Sequence, residues 1–278
     1  MSDVLVTTDW LADHLDDPSI RIVEVDEDTD AYGRGHIPGA VAVNWNSDLQ
    51  DPLRRDFISG ADFAKLNDRL GITPDTTVVL YGGNNNWFAA YAYWYYKVYG
   101  HGPVVLVDGG RKAWELEGRD TTTDDPAIQQ TSGYPVREPD LSIRAFRQQV
   151  LDDYLGKEGT ALVDVRSPEE YRGEKLAPDH LPQEQAQRPG HIPGAANIPW
   201  SKAVDGTTGR FLGGDELRSL YGGQGVTEDK DVVAYCRIGE RSAHTWFVLH
   251  ELLGFDRVRN YDGSWTEWGS LVGVPIER

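Results

Sequence analysis

Short apolar runs of four or five residues alternate along this chain with longer stretches whose apolar residues recur at helical spacing. Val78-Val79-Leu80-Tyr81 leads into a helical pattern over 87–99, and Val104-Val105-Leu106-Val107 leads into another over 110–117. Later, the run 231–235, a helical pattern over 242–253 and the run 258–261 repeat that order. Runs of this length, rich in β-branched residues, predict buried strands, and the segments between them predict crossover helices. The alternation predicts an α/β fold: a mainly parallel sheet flanked by helices on both faces. In such folds ligands bind beyond the carboxyl ends of the strands. The longest apolar run, 88–96, is too short to span a bilayer and rich in tyrosine, so a buried helix is expected there.

The whole pattern occurs twice. Gly35-His36-Ile37-Pro38-Gly39-Ala40 returns as Gly190-His191-Ile192-Pro193-Gly194-Ala195. Each copy follows an apolar run, Ile22-Val23-Glu24-Val25-Asp26 or Leu162-Val163-Asp164-Val165, and precedes a tryptophan, Trp45 or Trp200. Tyr81 and Tyr235, Gly100 and Gly254, and Trp114 and Trp268 are each 154 residues apart. One spacing at three landmarks means no net insertion across strand, loop, helix and next strand. The chain is therefore expected to be a tandem domain duplication, with domains at 1–120 and 140–278. The stretch 121–139, with Thr121-Thr122-Thr123-Asp124-Asp125-Pro126, reads as the linker.

Charge narrows the partners. A net charge of −18 repels phosphate backbones and anionic membrane surfaces, so neither nucleic acid nor membrane is expected as a partner. One cysteine excludes an internal disulfide framework and fits a reducing cytosol. The opening Met1-Ser2-Asp3-Val4-Leu5-Val6 has no basic region followed by a long apolar segment, so a cytoplasmic location is expected. No cofactor and no metal are expected.

That one cysteine, Cys236, ends an apolar run and precedes Arg237-Ile238-Gly239-Glu240-Arg241-Ser242 and then a helical pattern. Thiolates are the nucleophilic form, and a helix N-terminus flanked by guanidinium groups favours them, so a pKa below the ordinary value of about 8.5 is expected. A lone cysteine is otherwise a small buried hydrophobe, a use that two arginines in the following loop argue against. The duplication supplies a control. Gly82 stands opposite Cys236, and Asn85, Asn86 and Trp87 stand opposite Gly239, Glu240 and Arg241. The strand end that carries Arg166 has no arginine in the first half. Thiol and arginines are missing together, as expected of one functional set. His36 and His191 recur in both halves and read as structural, holding the Ile-Pro-Gly turn; Trp114 and Trp268 read as core, and Asn84-Asn85-Asn86 as a polar turn.

The Gly-His-Ile-Pro-Gly-Ala turn in both halves, the Cys236-to-Arg241 loop and the segment Asp262-Gly263-Ser264-Trp265-Thr266-Glu267-Trp268 together resemble the two-domain rhodanese family. That family comprises thiosulfate and mercaptopyruvate sulfurtransferases, and the loop looks most like that of the actinobacterial thiosulfate enzymes. The resemblance covers essentially the whole chain. It implies a ping-pong reaction in which Cys236 takes the outer sulfur of thiosulfate, releases sulfite and passes the sulfur to a thiophilic acceptor such as cyanide, giving thiocyanate. Covalent catalysis of this kind splits one transfer into two easier steps. Backbone N–H groups of 237–241, including Ile238 and Glu240, can curl around an anionic persulfide, and Gly239 permits a tight loop. Arg237 and Arg241 suit the sulfonate end of the donor, because guanidinium forks match oxyanions. Arg166 and Arg172 are further candidates for substrate binding. In the mammalian enzymes a substrate-binding arginine lies just before the aromatic residue that corresponds to Tyr171; here Glu170 holds that place.

Three alternatives stay open. A cysteine with an arginine-bearing loop also describes phosphatases of the tyrosine and Cdc25 type, but those have five residues between Cys and Arg, and here there are four. Donors other than thiosulfate include 3-mercaptopyruvate, whose enzymes carry small residues after the cysteine where Arg237 and Ile238 stand. A noncatalytic sulfur-carrier module is the third reading, and a protein sulfur acceptor is compatible with any sulfur-transfer reading. The second half also has an insertion, 175–188, which reads either as a wall over the site or as a surface loop.

Overall fold

A computed structural model describes residues 4–178 and 185–278. They divide into two compact units: Met1–Asp140 with Val204–Phe211, and Leu141–Ala203 with Leu212–Arg278. The described helices include none long and apolar enough to cross a membrane.

In unit 1 the strands are β1 (Leu5–Val6), β2 (Ile20–Glu24), β3 (Val41–Ala42), β4 (Thr77–Tyr81) and β5 (Val104–Val107), in the order β1-β5-β4-β2-β3. Every pairing is parallel. Val78 to Tyr81 and Val104 to Val107 are all buried, as strands covered on both faces must be. After β4 the chain makes a left-handed turn at Asn84, Asn85 and Asn86 (φ 44°, 57° and 62°). Asparagine tolerates that region better than other side chains. The helix that follows buries every residue from Trp87 to Tyr96, which explains a segment apolar on all sides.

Unit 2 repeats the plan with β6 (Thr160–Asp164), β7 (Ala196–Asn197), β8 (Asp231–Tyr235) and β9 (Val258–Tyr261), ordered β7-β6-β8-β9 and parallel throughout. The duplication extends to strand register: Arg21 pairs with Val78 in unit 1, and Ala161 pairs with Val232 in unit 2. After β8 comes the helix Glu240–Trp246, which continues as a wider π-helix over Phe247–Leu252.

The repeated Gly-His-Ile-Pro-Gly-Ala turn is fastened identically in each unit. The Ile37 N–H donates to the Tyr81 hydroxyl at 3.0 Å, and the Ile192 N–H donates to the Tyr235 hydroxyl at 3.0 Å. His36 stacks on Tyr32 and His191 on Tyr171, and Nδ1 of each hydrogen-bonds that tyrosine's carbonyl oxygen. Both histidines are thus engaged in the turn. Trp114 and Trp268 are buried in the two cores. His36 also pairs through its backbone with Thr122, as His191 pairs with Glu277 near the C-terminus. The start of the 121–139 stretch therefore does for unit 1 what the chain end does for unit 2. Its later part is fixed by Thr131 and Tyr134, whose N–H groups bond the Asp68 carbonyl and carboxylate.

Truncating the Tyr235 hydroxyl leaves the buried Ile192 N–H without its acceptor. Tyr235→Phe is expected to destabilise by about 1–3 kcal/mol, read as a lower urea midpoint with an unchanged slope. An unchanged midpoint would mean that this bond does not fasten the turn.

Candidate active site

Cys236 follows the last residue of β8, so the strand order of unit 2 delivers it to the carboxyl end of the sheet. The loop then turns through Gly239 at φ 103°, where a Cβ would come within 2.7 Å of the Asp262 backbone. Only glycine fits both the angle and the approach. The sulfur is fully buried. The Cys236 thiol donates to Glu240 Oε2 at 3.0 Å, and the Gly239 N–H donates to Sγ at 3.2 Å. The Ser242 hydroxyl lies 3.5 Å from Sγ and donates to Asn260 Oδ1 at 2.6 Å. Asn260 in turn donates to the Gly239 carbonyl at 3.0 Å, tying the loop to β9.

Ser264 fixes the other side. Its hydroxyl accepts from the Cys236 N–H at 3.0 Å and donates to the Tyr261 carbonyl at 2.7 Å. It does so at φ 50°, where the first unit has Gly110 at φ 54°. A serine held where glycine would be unstrained marks a side chain retained for its contacts.

Charge surrounds the thiol in an alternating chain. Arg237 pairs with Glu240 at 3.1 Å, and Arg241 lies 3.7 Å from the same carboxylate. Arg241 is held by Glu170 through two parallel bonds of 2.8 and 3.0 Å. All four side chains are buried. Arg166 is buried as well, bonded to Asp164 and to the Gly190 carbonyl and stacked 4.6 Å from the Trp265 ring. Arg172 stands apart at the surface, paired with Glu174 at 2.7 Å.

The sequence pattern predicts a thiol pKa below the ordinary value; the structure reverses that direction. Burial and then the Glu240 carboxylate push the Cys236 thiol up, against a smaller opposing pull from Arg241. The expectation counted the guanidiniums but not their partners. Each arginine brought near the sulfur arrives with a carboxylate, so the site holds no net positive field. Burial alone would raise the Glu240 carboxyl, but Arg237 and Arg241 hold it below the usual carboxylate range. The resting pair is consequently a neutral thiol hydrogen-bonded to a carboxylate.

Cys236, Arg237, Ile238, Gly239, Glu240 and Arg241 are brought together, with the Ile238 N–H donating to Glu240 Oε2 at 3.1 Å. Arg166 sits one step outside, and Arg172 does not join. Glu170, Ser242, Asn260 and Ser264 were not anticipated. Two signals were available: Ser167-x-x-Glu170 is a capping box, and it opens the short helix Pro168–Tyr171 that carries Glu170 to Arg241. The change from Gly110 to Ser264 at the duplicated position was the other. Of the insertion 175–188, residues 179–184, including His180, lie outside the described residues. Among the described residues no group of three or more His, Cys, Asp or Glu side chains could hold a metal ion.

Unit 1 closes the same loop differently. The Gly82 N–H donates to Asn86 Oδ1 at 3.1 Å, so an amide stands where unit 2 places Glu240.

Comparison with known proteins agrees with this duplication. A model of the rhodanese-like domain matches residues 7–117 and again 147–271. The chain is 60% identical over 276 residues to a Mycolicibacterium smegmatis protein named "Putative thiosulfate sulfurtransferase", covering 99% of this chain and 98% of that one. It is 58% identical over 278 residues to the sulfur carrier protein TtuD of Thermus thermophilus, covering 99% and 97%. Among solved structures, the anaerobic ergothioneine biosynthesis enzyme of Chlorobium limicola superposes with a TM-score of 0.86 at 24% identity, over 99% of this chain and 70% of that one. That last likeness is one of fold. The chain belongs to the rhodanese-like family and carries two copies of its domain.

Proposed function

We propose that this chain is a thiosulfate sulfurtransferase in which Cys236 carries the transferred sulfur and Glu240 carries the proton. The observation that supports it most is the buried 3.0 Å contact between Cys236 Sγ and Glu240 at the strand end, present in unit 2 and replaced by Gly82 and Asn86 in unit 1. The sulfurtransferase names of close relatives agree with it.

In the first half-reaction the thiol proton passes to Glu240 as Sγ attacks the outer sulfur of thiosulfate. The sulfur–sulfur bond of the donor breaks, and sulfite leaves with the bonding pair. Glu240 then returns the proton to the departing sulfite, and the persulfide remains as an anion on Cys236. The transfer is uphill at rest, because the thiol pKa is raised and that of the carboxyl lowered. Each unit between them costs about 1.4 kcal/mol. The thiolate therefore forms when a sulfur acceptor for its electrons and a base for its proton are both in place. Neutralising Glu240 also removes the charge that faces Arg237 and Arg241, turning their guanidiniums toward the sulfonate. The Gly239 N–H, already on Sγ, is placed to steady the anionic persulfide. In the second half-reaction cyanide attacks the outer sulfur and leaves as thiocyanate, and Cys236 thiolate regains a proton.

Arg166 acts in this scheme through Asp164 and the Gly190 carbonyl, as a brace rather than a substrate ligand, and Arg172 has no part. The relative named a sulfur carrier protein favours one variation, in which a protein thiolate takes the place of cyanide. The chemistry at Cys236 is the same for either acceptor.

Incubation with thiosulfate should add the mass of one sulfur to the intact protein, and cyanide should remove it. Cys236→Ser should show neither change; a mass gain in that variant would place the sulfur elsewhere. Glu240→Gln should slow the thiosulfate half-reaction about 10²- to 10⁴-fold, while the persulfide–cyanide step, which needs no proton from Glu240, changes far less. Equal slowing of both half-reactions in stopped-flow traces would assign Glu240 to loop architecture alone.

A further inference from the structure

At the amino end of the unit 1 sheet, Arg21 on β2 faces a cavity of about 430 Å³, lined by Leu15, Pro18, Ala127, Gln129 and Gln130 among others. Its guanidinium is half-buried, and its Nε is shielded from solvent with no hydrogen-bond partner. Asp16 and Asp17 lie on the same wall, yet neither pairs with it; Asp17 is taken by the Ser19 N–H and hydroxyl, at 2.8 and 2.7 Å. Burial lowers the Arg21 pKa with no acid to offset it. Arg111, Arg144, Arg166, Arg237 and Arg241, which are more deeply placed, each have a carboxylate. In a chain of net charge −18 an uncompensated, partly desolvated cation is unusual.

The duplication again separates scaffold from site. Unit 2 has a hollow of about 350 Å³ in the corresponding place, lined by Leu155, Ala161 and Gly194. Ala161 holds the register position of Arg21, since their partners Val232 and Val78 are themselves duplicated residues. The hollow is therefore a property of the fold; the half-buried arginine on the strand belongs to unit 1, whereas the cation lining the unit 2 hollow is the exposed Lys157. Gly71 makes room for Arg21: a Cβ there would lie 3.1 Å from Arg21 Nη2.

We propose that this cavity binds a small organic carboxylate, with Arg21 as its anion-recognising group. A guanidinium fork matches a planar carboxylate. Leu15, Pro18 and Ala127 offer a carbon body apolar contact within an otherwise largely polar lining, and the volume falls in the range of small-molecule sites. The site is separate from sulfur transfer and independent of the reading of Cys236.

The test is a titration of the isotopically labelled full chain with benzoate and with succinate, followed through the backbone amides of Arg21, Gly39 and Gly71. Inorganic phosphate is run alongside. Saturable shifts with at least one carboxylate are expected, weakened about tenfold or more in Arg21→Gln and partly retained in Arg21→Lys. Persulfide formation on Cys236 and the thermal midpoint should be unchanged in both variants, which separates lost binding from lost folding. The proposal is overturned if neither carboxylate gives saturable shifts, if Arg21→Gln binds as well as the parent, or if phosphate binds as tightly as the carboxylates.

Discussion

The hydrogen bond from Cys236 to Glu240 organises the candidate site of unit 2. A carboxylate buried beside a thiol survives only if cations and N–H donors compensate it, and Arg237, Arg241 and the Ile238 N–H do so. Arg241 then needs an anion of its own, which Glu170 provides from the helix after β6. Asp164 and Arg166 close a further pair at the end of β6. Removing a charged member leaves a buried charge unpaired. Unit 1 keeps a carboxylate–arginine pair at the end of β2, Glu24 with Arg111, but after β4 it has a glycine, an amide and a left-handed asparagine turn in place of the thiol, carboxylate and loop arginines.

The balanced charge also shapes reactivity. A thiolate exposed in a positive field is always ready, and open to any electrophile. A neutral thiol in a closed loop reacts when a substrate supplies both an electrophilic sulfur and a leaving group that can take up a proton. Thiosulfate, the donor we propose, offers both. Four residues separate Cys236 from Arg241, and within that loop the Gly239 N–H comes to 3.2 Å from Sγ.

Much of this was legible in the sequence, because duplication is a strong signal. The constant 154-residue spacing identified the paired strands, and the structure adds that even their register repeats. The position of Cys236 followed from strand-end logic alone. What could not be read was the partner of each charge. Glu170 lies 71 residues from Arg241, and no local pattern joins them. The raised thiol pKa was missed for the same reason: the arginines were visible as a motif, whereas their neutralisation is a fact of tertiary structure. Glu240 stood in the motif throughout, but its side chain could have faced solvent instead of sulfur. Ser264 was recoverable, since comparing it with Gly110 sets a costly residue against a permissive one.

The central claim is that Cys236 rests as a neutral thiol held by the Glu240 carboxylate. The chain has one cysteine, so ultraviolet thiolate absorbance, taken as a difference from Cys236→Ser, reports this group alone. The account predicts an inflection above the ordinary thiol value of about 8.5 in the parent protein, moving downward in Glu240→Gln as the carboxylate charge is removed. An inflection below that value in the parent, or one that Glu240→Gln leaves in place, would contradict it.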